Sequence, residues 1–457
     1  MKRIAIVGGG MAGLAAAHRL NQANRSDIYW RLFERSDRLG GKVVTEQVDG
    51  CTIEGGPDSF ITQKPWGLAL CRELGLEDEL VPCNEASQKI YILVKGRLCA
   101  LPAGFRLTVP TRMIPFLTSP LFTWRAKARM ALEPFMPTRR DPGDESISAF
   151  ITRRLGREAA DKIGGPLMAG IYVADPERLS LLSTFPMFRA MEQKHGSLMR
   201  AMRAAAKQPA AKQPMFMSLK QGMGHLIDTL QAPLREHCHT NARVTDLARR
   251  ANHFECLVDG KPQQFDAVIL ATPLYETAGL LSGILPDAAQ SLRAIRYVST
   301  ATISLGYRLP LTGMKQPLDG FGFVVPASEK RRLLACTWSS VKFPGRAPEG
   351  HALFRLFVGG DGNEQLVEQS DDELLALAGE ELRNLLGLTA QPVVSRIFRW
   401  PQGNPQYDIG HADRMQALLN TVHTIPGLYC AGSGYEGIGL PDCIRSGQAA
   451  ADSSLMS

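Results

Sequence analysis

A run of six residues near the amino terminus has the composition and spacing that bind a pyrophosphate. A β-rich run, Arg3–Val7, leads directly into the glycine turn Gly8–Gly13, and a stretch rich in alanine and leucine follows. Strand, glycine turn and helix occur in the order of a dinucleotide-binding unit. Gly8 permits the tight turn, Gly10 lets the backbone approach the pyrophosphate, and Gly13 lets the helix lie close to the strand. The helix N-terminus then offers free N–H groups to the phosphates.

An acidic residue follows at the position where a ribose-binding carboxylate belongs. The apolar run Ile28–Phe33 predicts a second strand, and it ends at Glu34. This acid lies about 20 residues beyond the last glycine, as the dinucleotide fingerprint requires. The alternative is a solvated acid at the end of a strand. The pattern favours an adenine dinucleotide site.

Further glycine turns favour FAD over NAD. Gly40-Gly41-Lys42 comes just after Glu34, and Glu54-Gly55-Gly56-Pro57-Asp58-Ser59-Phe60 is another glycine-rich bend. Such turns let the backbone pass close to an extended ligand. At the other end of the chain, the short strand Gly427–Gly432 leads through a glycine-rich turn into a helix that can direct its dipole at a flavin. Gly222-x-Gly224 lacks a third glycine, so a second dinucleotide site for a nicotinamide is not predicted.

Composition limits the remaining classes of function. With 457 residues, 44% hydrophobic and 21% charged, the chain is typical of a soluble globular protein of two or three domains. The net charge of +7 indicates a solvated basic surface, an anionic substrate or an anionic membrane surface. The sequence has no basic stripe interleaved with aromatic residues, so it does not indicate binding to nucleic acid. Nine scattered cysteines without a Cys-x-x-Cys pair favour reduced thiols, and no metal site is predicted.

The middle of the chain predicts two further structural regions. From Arg97 to about Pro214, short apolar stretches alternate with prolines and with helical segments such as Ser146–Leu155. This region is either a helical subdomain with a buried apolar side or a basic amphipathic surface that lies on a membrane. Several β-rich runs between Thr300 and Phe357 then predict a mixed or antiparallel sheet suited to binding substrate, and Asp371–Leu386 is an amphipathic helix. The sequence contains no apolar run long enough to span a membrane, so a soluble or peripheral protein is expected.

Four stretches give the chain a family resemblance. They are Glu54–Phe60, Pro166–Tyr172, the segment from Asp175-Pro176 to Leu179-Ser180, and Tyr435–Ile444. Together with the amino-terminal fingerprint they resemble the protoporphyrinogen oxidase family, including its bacterial coproporphyrinogen-oxidising branch, within the flavin-containing amine oxidase-like proteins. The resemblance spans nearly the whole chain.

The resemblance implies an α/β fold with three regions. These are a Rossmann-like FAD-binding domain from residues 1–75, 213–273 and 396–457, a mixed β-sheet substrate-binding domain from residues 76–92 and 274–395, and a helical subdomain at 93–212 that associates with a membrane. The cofactor is FAD, and the residues that match the family's flavin contacts are Gly8, Gly9, Gly10, Met11, Ala12, Gly13, Glu34, Arg35, Gly41, Lys42, Gly56, Pro57, Asp58, Ser59, Val244, Trp400, Ile438, Gly439 and Leu440.

The implied reaction is the oxidation of a porphyrinogen to a porphyrin in haem biosynthesis, in three two-electron rounds, with dioxygen as the final acceptor. The protein mainly orients the substrate, and no catalytic acid or base is assigned. Asp58 is expected to meet a pyrrole N–H and the Gly170 carbonyl another. Lys64 and Lys89 are candidate partners for substrate carboxylates, or else solvated surface lysines.

Two alternatives stay open, an amine oxidase or carotenoid desaturase on the same scaffold, and a flavin-binding subunit without catalytic activity. The expected location is cytoplasmic or peripheral on the inner face of the membrane. Oligomeric state, the choice between the two porphyrinogens and the choice between dioxygen and a quinone as acceptor are left open.

Overall fold

The computed structural model describes residues 1–106, 109–206 and 214–456. Its strands, in chain order, are β1 Lys2–Val7, β2 Ile28–Phe33, β3 Thr45–Val48, β4 Cys51–Glu54, β5 Phe60–Ile61, β6 Leu80–Pro82, β7 Lys89–Val94, β8 Arg97–Ala100, β9 Phe105–Arg106, β10 Val109–Pro110, β11 Phe216–Leu219, β12 Cys238–His239, β13 Val244–Arg249, β14 Phe254–Val258, β15 Lys261–Phe265, β16 Ala267–Leu270, β17 Tyr297–Arg308, β18 Gly320–Val324, β19 Leu333–Trp338, β20 His351–Gly359, β21 Val394–Pro405 and β22 Leu428–Cys430.

The α-helices are α1 Met11–Ala23, α2 Trp66–Glu73, α3 Met113–Thr118, α4 Trp124–Ala131, α5 Ile147–Leu155, α6 Arg157–Ala159, α7 Gly170–Tyr172, α8 Leu181–Thr184, α9 Pro186–His195, α10 Leu198–Ala206, α11 Gly224–Gln231, α12 Leu274–Leu281, α13 Pro286–Arg293, α14 Ser339–Lys342, α15 Asp371–Leu386, α16 His411–His423 and α17 Leu440–Met456. Residues Ala160–Ala169 are wound as a π-helix.

A five-stranded parallel sheet carries the amino-terminal fingerprint. Its strand order is β12-β2-β1-β16-β22, and Ile6 on β1 lies beside Leu32 on β2 and Ile269 on β16. Alternate residues of β1 face opposite sides. Ile4 and Ile6 pack with α1, α11 and α17, whereas Ala5 and Val7 pack with α12, α13 and α16. Because both faces are covered, the strands are almost continuously apolar. The Rossmann-like prediction is confirmed.

A seven-stranded mixed sheet forms the second unit. Its order is β21-β17-β20-β19-β18-β7-β8, and only β7 with β18 pairs in parallel. The helix α15 covers one face, where Ile303 and Leu305 of β17 contact Leu374 and Leu377 in a common core. Since successive strand residues face opposite sides, Thr302 and Ser304 face away from α15. This second face borders the third glycine turn, which is described below.

The predicted domain limits relate to these elements as follows. The boundary at residue 396 falls inside β21, which is the edge strand of the mixed sheet. The boundary between 212 and 213 lies outside the described residues. Segments from all three ranges predicted for the FAD-binding domain contribute strands to the parallel sheet, namely β1, β12 and β22. The division into domains remains a prediction.

The region between β10 and β11 is helical wherever it has regular structure in the described residues. Its core contains Phe116 and Phe150, and its charged centre is an ion pair between fully buried Arg154 and Glu133, with Arg154 Nε 2.9 Å from Glu133 Oε1. Several apolar side chains are exposed, including Ile114, Trp124 and Phe135. Across the described part of the chain, no helix combines the length and the apolar character that a membrane crossing requires.

Candidate flavin site

The first glycine turn brings α1 against β1 as closely as a backbone allows. A methyl group on Gly13 would lie 1.9 Å from the Gly8 carbonyl oxygen, so no larger residue fits there. Gly8 has φ +106°, a conformation that favours glycine. A methyl group on Gly10 would meet nothing within 4 Å, which places this residue beside open space. No side chain caps the start of α1, so its first N–H groups are available to an anion.

Glu34 joins the first turn to the segment after β2. One carboxylate oxygen accepts a hydrogen bond from the Gly9 N–H at 2.7 Å. The other accepts from the backbone N–H and the hydroxyl of Ser36, at 2.9 and 2.7 Å. A carboxylate has about four acceptor positions, so one remains for a ribose hydroxyl. The ribose role of Glu34 stays a prediction that this geometry permits.

The second glycine turn touches the first. The Gly40 N–H donates to the Gly9 carbonyl at 2.8 Å, and a methyl group on Gly41 would lie 3.1 Å from the Gly10 Cα. Arg38 stabilises this turn, because its guanidinium donates a hydrogen bond to the Gly41 carbonyl at 2.6 Å. The sequence reasoning did not assign Arg38 to the site, although it lies within the turn.

The third glycine turn stacks on the second. A methyl group on Gly56 would lie 1.7 Å from the Lys42 carbonyl oxygen. The Lys42 ammonium donates to the Gly403 carbonyl. Its side chain reaches solvent, yet the surrounding protein removes much of its hydration, which lowers its pKa to about 8. We call the space bordered by Gly10, Gly41, Lys42 and Gly56 the cofactor cleft.

The carboxy-terminal unit reaches the same place. The helices α17 and α1 cross so closely that a methyl group on Gly447 would lie 2.0 Å from the Ala12 carbonyl oxygen. Leu440, the first residue of α17, shares a core with Met11 and Ala12. The loop before α17 is fastened by Tyr407, whose hydroxyl accepts from the Gly437 N–H at 2.8 Å and donates to the Ser433 carbonyl at 2.7 Å. The predicted segment Ile438–Leu440 is therefore positioned beside the first turn.

The remaining predicted flavin contacts lie around this centre. The Trp400 indole N–H donates to the Gly55 carbonyl at 2.9 Å. Arg35 forms an ion pair with Glu276 of α12. The segment before Val244 runs beside Glu34, since the Ala242 N–H donates to the Glu34 carbonyl at 2.9 Å. The predicted flavin contacts thus come from chain segments far apart in sequence.

Asp58 lies directly behind the third turn as an ionised carboxylate. Its Oδ2 accepts from the Lys342 ammonium at 2.7 Å, and its Oδ1 accepts from the Ser59 hydroxyl at 2.7 Å. Burial alone would raise the pKa of this carboxyl, but Lys342 and Arg355 hold it well below its ordinary value. The sequence reasoning missed both cations, because they lie about 300 residues further along the chain.

The three other candidate substrate residues are placed differently. The Lys64 ammonium donates to both carboxylate oxygens of Asp442, at 2.7 and 2.6 Å, which places it beside the carboxy-terminal loop. Lys89 pairs with Asp319 on the mixed sheet. Its strand, β7, lies five strand positions from β21, which carries Trp400, and this spacing corresponds to roughly 24 Å across the sheet. Gly170 is exposed, and a methyl group there would meet nothing within 4 Å. Their roles in substrate binding stay predictions.

Another cavity, of about 470 Å³, contains none of the predicted site residues. It lies behind the second glycine turn, and its walls include Arg38, Asp228 and Arg235. The described residues contain no group of three His, Cys, Asp or Glu side chains arranged to hold a metal ion.

These features define a class of protein. Three stacked glycine turns, two helix N-termini and an acid at the end of a parallel strand form a site typical of a flavin-dependent oxidoreductase that binds an adenine dinucleotide. Residues 11–453 match the family model described as flavin containing amine oxidoreductase. The chain belongs to this family, and the prediction of FAD as its cofactor is confirmed.

Individual relatives cover nearly the whole chain. It is 34% identical to the coproporphyrinogen III oxidase of Bacillus subtilis (strain 168), over 99% of this chain and 98% of the relative. It is 29% identical to protoporphyrinogen oxidase 2, chloroplastic/mitochondrial, of Arabidopsis thaliana, over 99% of this chain and 93% of the relative. Among solved structures, a protein from Exiguobacterium sp. 255-15 named "Putative protoporphyrinogen oxidase" superposes with a TM-score of 0.90 at 34% identity, over 100% of this chain and 99% of the other.

Proposed function

We propose that this protein oxidises a porphyrinogen to the corresponding porphyrin in haem biosynthesis, with FAD as cofactor and dioxygen as electron acceptor. The observation that carries the proposal is the 34% identity to the Bacillus subtilis coproporphyrinogen III oxidase over 99% of this chain. The four sequence stretches that resemble porphyrinogen oxidases support it. Two of them lie at this site: Glu54–Phe60 contains the third glycine turn, and Tyr435–Ile444 contains the loop before α17.

The residues at the cofactor cleft fit FAD. The open space at Gly10, the uncapped start of α1 and the Lys42 ammonium suit a pyrophosphate, and Glu34 retains an acceptor for a ribose hydroxyl. When bound, FAD accepts electrons in pairs from an organic substrate and passes them to dioxygen. The chain's part in this reaction is to hold the cofactor, exclude water and orient the substrate.

The charged residues near the third turn suit a macrocycle with pyrrole N–H groups and carboxylates. Asp58 stays ionised at neutral pH, so it acts as a hydrogen-bond acceptor for an N–H donor. The Lys64 side chain is 45% exposed despite its pairing with Asp442, and its ammonium offers a cation to a substrate carboxylate. The net charge of +7 also attracts an anionic substrate.

An amine oxidase or carotenoid desaturase is the second candidate, because the matching family model is described by amine oxidation. An amine oxidase and a porphyrinogen oxidase differ in the charge of the substrate. An amine substrate is cationic and would approach Lys42 and Lys64 unfavourably, whereas a porphyrinogen carries carboxylates. A flavin-binding subunit without turnover is the third candidate, and activity on any of these substrates eliminates it.

Contact with a membrane surface is a further part of the proposal. Ile114, Trp124 and Phe135 are 78%, 72% and 75% exposed, and exposed Arg125 lies on the same short helix as Trp124. Exposed apolar and basic side chains together suit the surface of an anionic membrane. Cosedimentation with anionic vesicles tests this part, and sedimentation velocity measures the oligomeric state.

The decisive experiment compares four substrates on one FAD-loaded sample. Coproporphyrinogen III and protoporphyrinogen IX are followed by porphyrin fluorescence and oxygen consumption, against an enzyme-free control for autoxidation. Putrescine and phytoene test the amine oxidase and desaturase alternatives. Porphyrin formation well above the control supports the proposal, and the ratio of kcat/KM values selects the preferred porphyrinogen. Rates equal to the control for both porphyrinogens contradict the proposal.

A further inference from the structure

The Gly55 carbonyl in the third glycine turn accepts hydrogen bonds from three side chains. The Trp400 indole N–H lies 2.9 Å from this oxygen, the Thr302 hydroxyl 3.1 Å and the Arg355 guanidinium 3.2 Å. The same Arg355 nitrogen donates to the next carbonyl, that of Gly56, at 2.5 Å. A carbonyl oxygen has two lone pairs, so three donors exceed its ordinary capacity. We call Thr302, Arg355 and Trp400 the carbonyl clamp.

The clamp arises from three adjacent strands of the mixed sheet. β17 lies between β20 and β21, and Thr302 is paired with Phe357 on one side and Phe398 on the other. Strand alternation places all three clamp residues on the face opposite α15. Arg355 interrupts an otherwise apolar strand and is only 5% exposed. The sheet thus directs three donors at one peptide group.

Arg355 is held in place by a buried charge cluster. It lines a small polar cavity of about 10 Å³ together with Glu54 and Asp58. Arg346 lies 3.3 Å from Glu54, and Lys342 lies 2.7 Å from Asp58. Burial lowers the pKa of the Arg355 guanidinium, and the nearby Asp58 and Glu54 carboxylates offset part of this effect.

The clamp determines which way the Gly55–Gly56 peptide faces. This bond is trans, since the one cis peptide of the described residues is Leu309–Pro310. In a trans peptide the C=O and N–H point in opposite directions. With the Gly55 carbonyl held against the sheet, the Gly56 N–H faces away from the sheet. None of the backbone hydrogen bonds among the described residues uses this N–H.

Two consecutive glycines make this orientation easy to lose. Glycine adopts the conformations that a peptide flip requires with little steric cost. A flipped peptide would present a carbonyl oxygen to the cleft instead of an N–H. The next residue, Pro57, has no N–H and cannot replace the lost donor.

We propose that the carbonyl clamp is a positioning device that keeps the Gly56 N–H directed at the bound flavin as a hydrogen-bond donor. A fixed backbone donor stabilises negative charge that develops on the flavin as it takes up electrons. The clamp therefore raises the reduction potential of the bound flavin and strengthens its binding. This inference depends on the flavin alone, so it stands or fails independently of the substrate.

The test removes single donors without changing charge. Thr302→Val loses the hydroxyl, Trp400→Phe loses the indole N–H, and the double variant loses both. Ser304→Ala is the matched control, because Ser304 lies on the same face of β17, opposite Arg355 and in the wall of the same small cavity, and makes no hydrogen bond to Gly55. Each purified protein is stripped of FAD and reconstituted. Three quantities are measured: the Kd for FAD, the flavin reduction potential by dye equilibration, and the Tm.

In the single variants we expect a Kd for FAD about two- to tenfold higher, the range for one hydrogen bond, together with a more negative reduction potential. The double variant shifts further in both, and Ser304→Ala matches the unmodified protein. Arg355→Lys, which keeps the charge but not the planar guanidinium, is expected to shift the potential in the same direction. A lower Tm with an unchanged potential in the double variant would overturn the proposal, because it describes a purely structural contact. A potential and Kd equal to those of Ser304→Ala would also overturn it.

Discussion

Replacing Glu34 with glutamine is predicted to weaken the binding of FAD but not of FMN. This carboxylate has about four acceptor positions, and three of them already accept hydrogen bonds from Gly9 and Ser36. The remaining position is the one predicted to accept from the adenosine ribose, and the hydrogen bond is strengthened by the carboxylate charge. A hydrogen bond to a charged group contributes about 1.5–3 kcal/mol, which corresponds to a Kd roughly ten- to a hundredfold higher.

The assay is titration of the FAD-free protein with FAD and, separately, with FMN, which lacks the adenosine. Flavin fluorescence reports binding. Ser36→Ala is the control, because it removes one hydrogen bond to Glu34 and leaves its charge. We expect Glu34→Gln to raise the Kd for FAD only, and Ser36→Ala to change it about threefold at most. Equal changes for both flavins, or none, in a folded variant would refute the ribose assignment.

Three further predictions concern charge. The Lys42 pKa of about 8 means that its ammonium deprotonates as pH rises through 8, so FAD affinity should fall between pH 7 and 9. Lys42→Met should remove this dependence and Lys42→Arg should leave affinity constant to higher pH; an identical pH profile in Lys42→Met contradicts the assignment. Arg154→Met leaves the buried Glu133 carboxylate without its cation and should lower the free energy of unfolding by about 3–5 kcal/mol in urea titrations; a loss below about 1 kcal/mol would count against a fully buried pair. Lys64→Ala and Lys89→Ala should each raise KM, more for coproporphyrinogen with four carboxylates than for protoporphyrinogen with two, and unchanged KM values would remove these lysines from the substrate site.

Elements with a complete local pattern were predictable from the sequence. β2 spans Ile28–Phe33 and α15 spans Asp371–Leu386, as their hydrophobic periodicity predicts. Ser370 begins α15 with a capping box formed with Glu373, a signal encoded within four residues. The first glycine turn was equally readable, because Gly8 and Gly13 each have a steric reason to be glycine.

The parts of the site that depend on distant pairing were not predictable. Asp442 lies 378 residues from Lys64, and Arg355 lies 300 residues from Gly55. No local pattern links such residues, since their contact depends on how the sheets pack. One signal was available: an arginine within the apolar strand β20 indicates a buried charge with a specific partner.

The most direct test of the proposed function is a single-turnover experiment without oxygen. FAD-loaded protein is mixed with coproporphyrinogen III under anaerobic conditions, and flavin absorbance and porphyrin fluorescence are recorded together. Each flavin takes up the electrons of only one of the three two-electron rounds, so oxidation of the substrate by this protein predicts that the yellow flavin colour is lost without oxygen, and that admitting oxygen restores the colour and lets porphyrin form. A flavin that keeps its colour with both coproporphyrinogen and protoporphyrinogen, while dithionite bleaches it normally, would contradict the central claim.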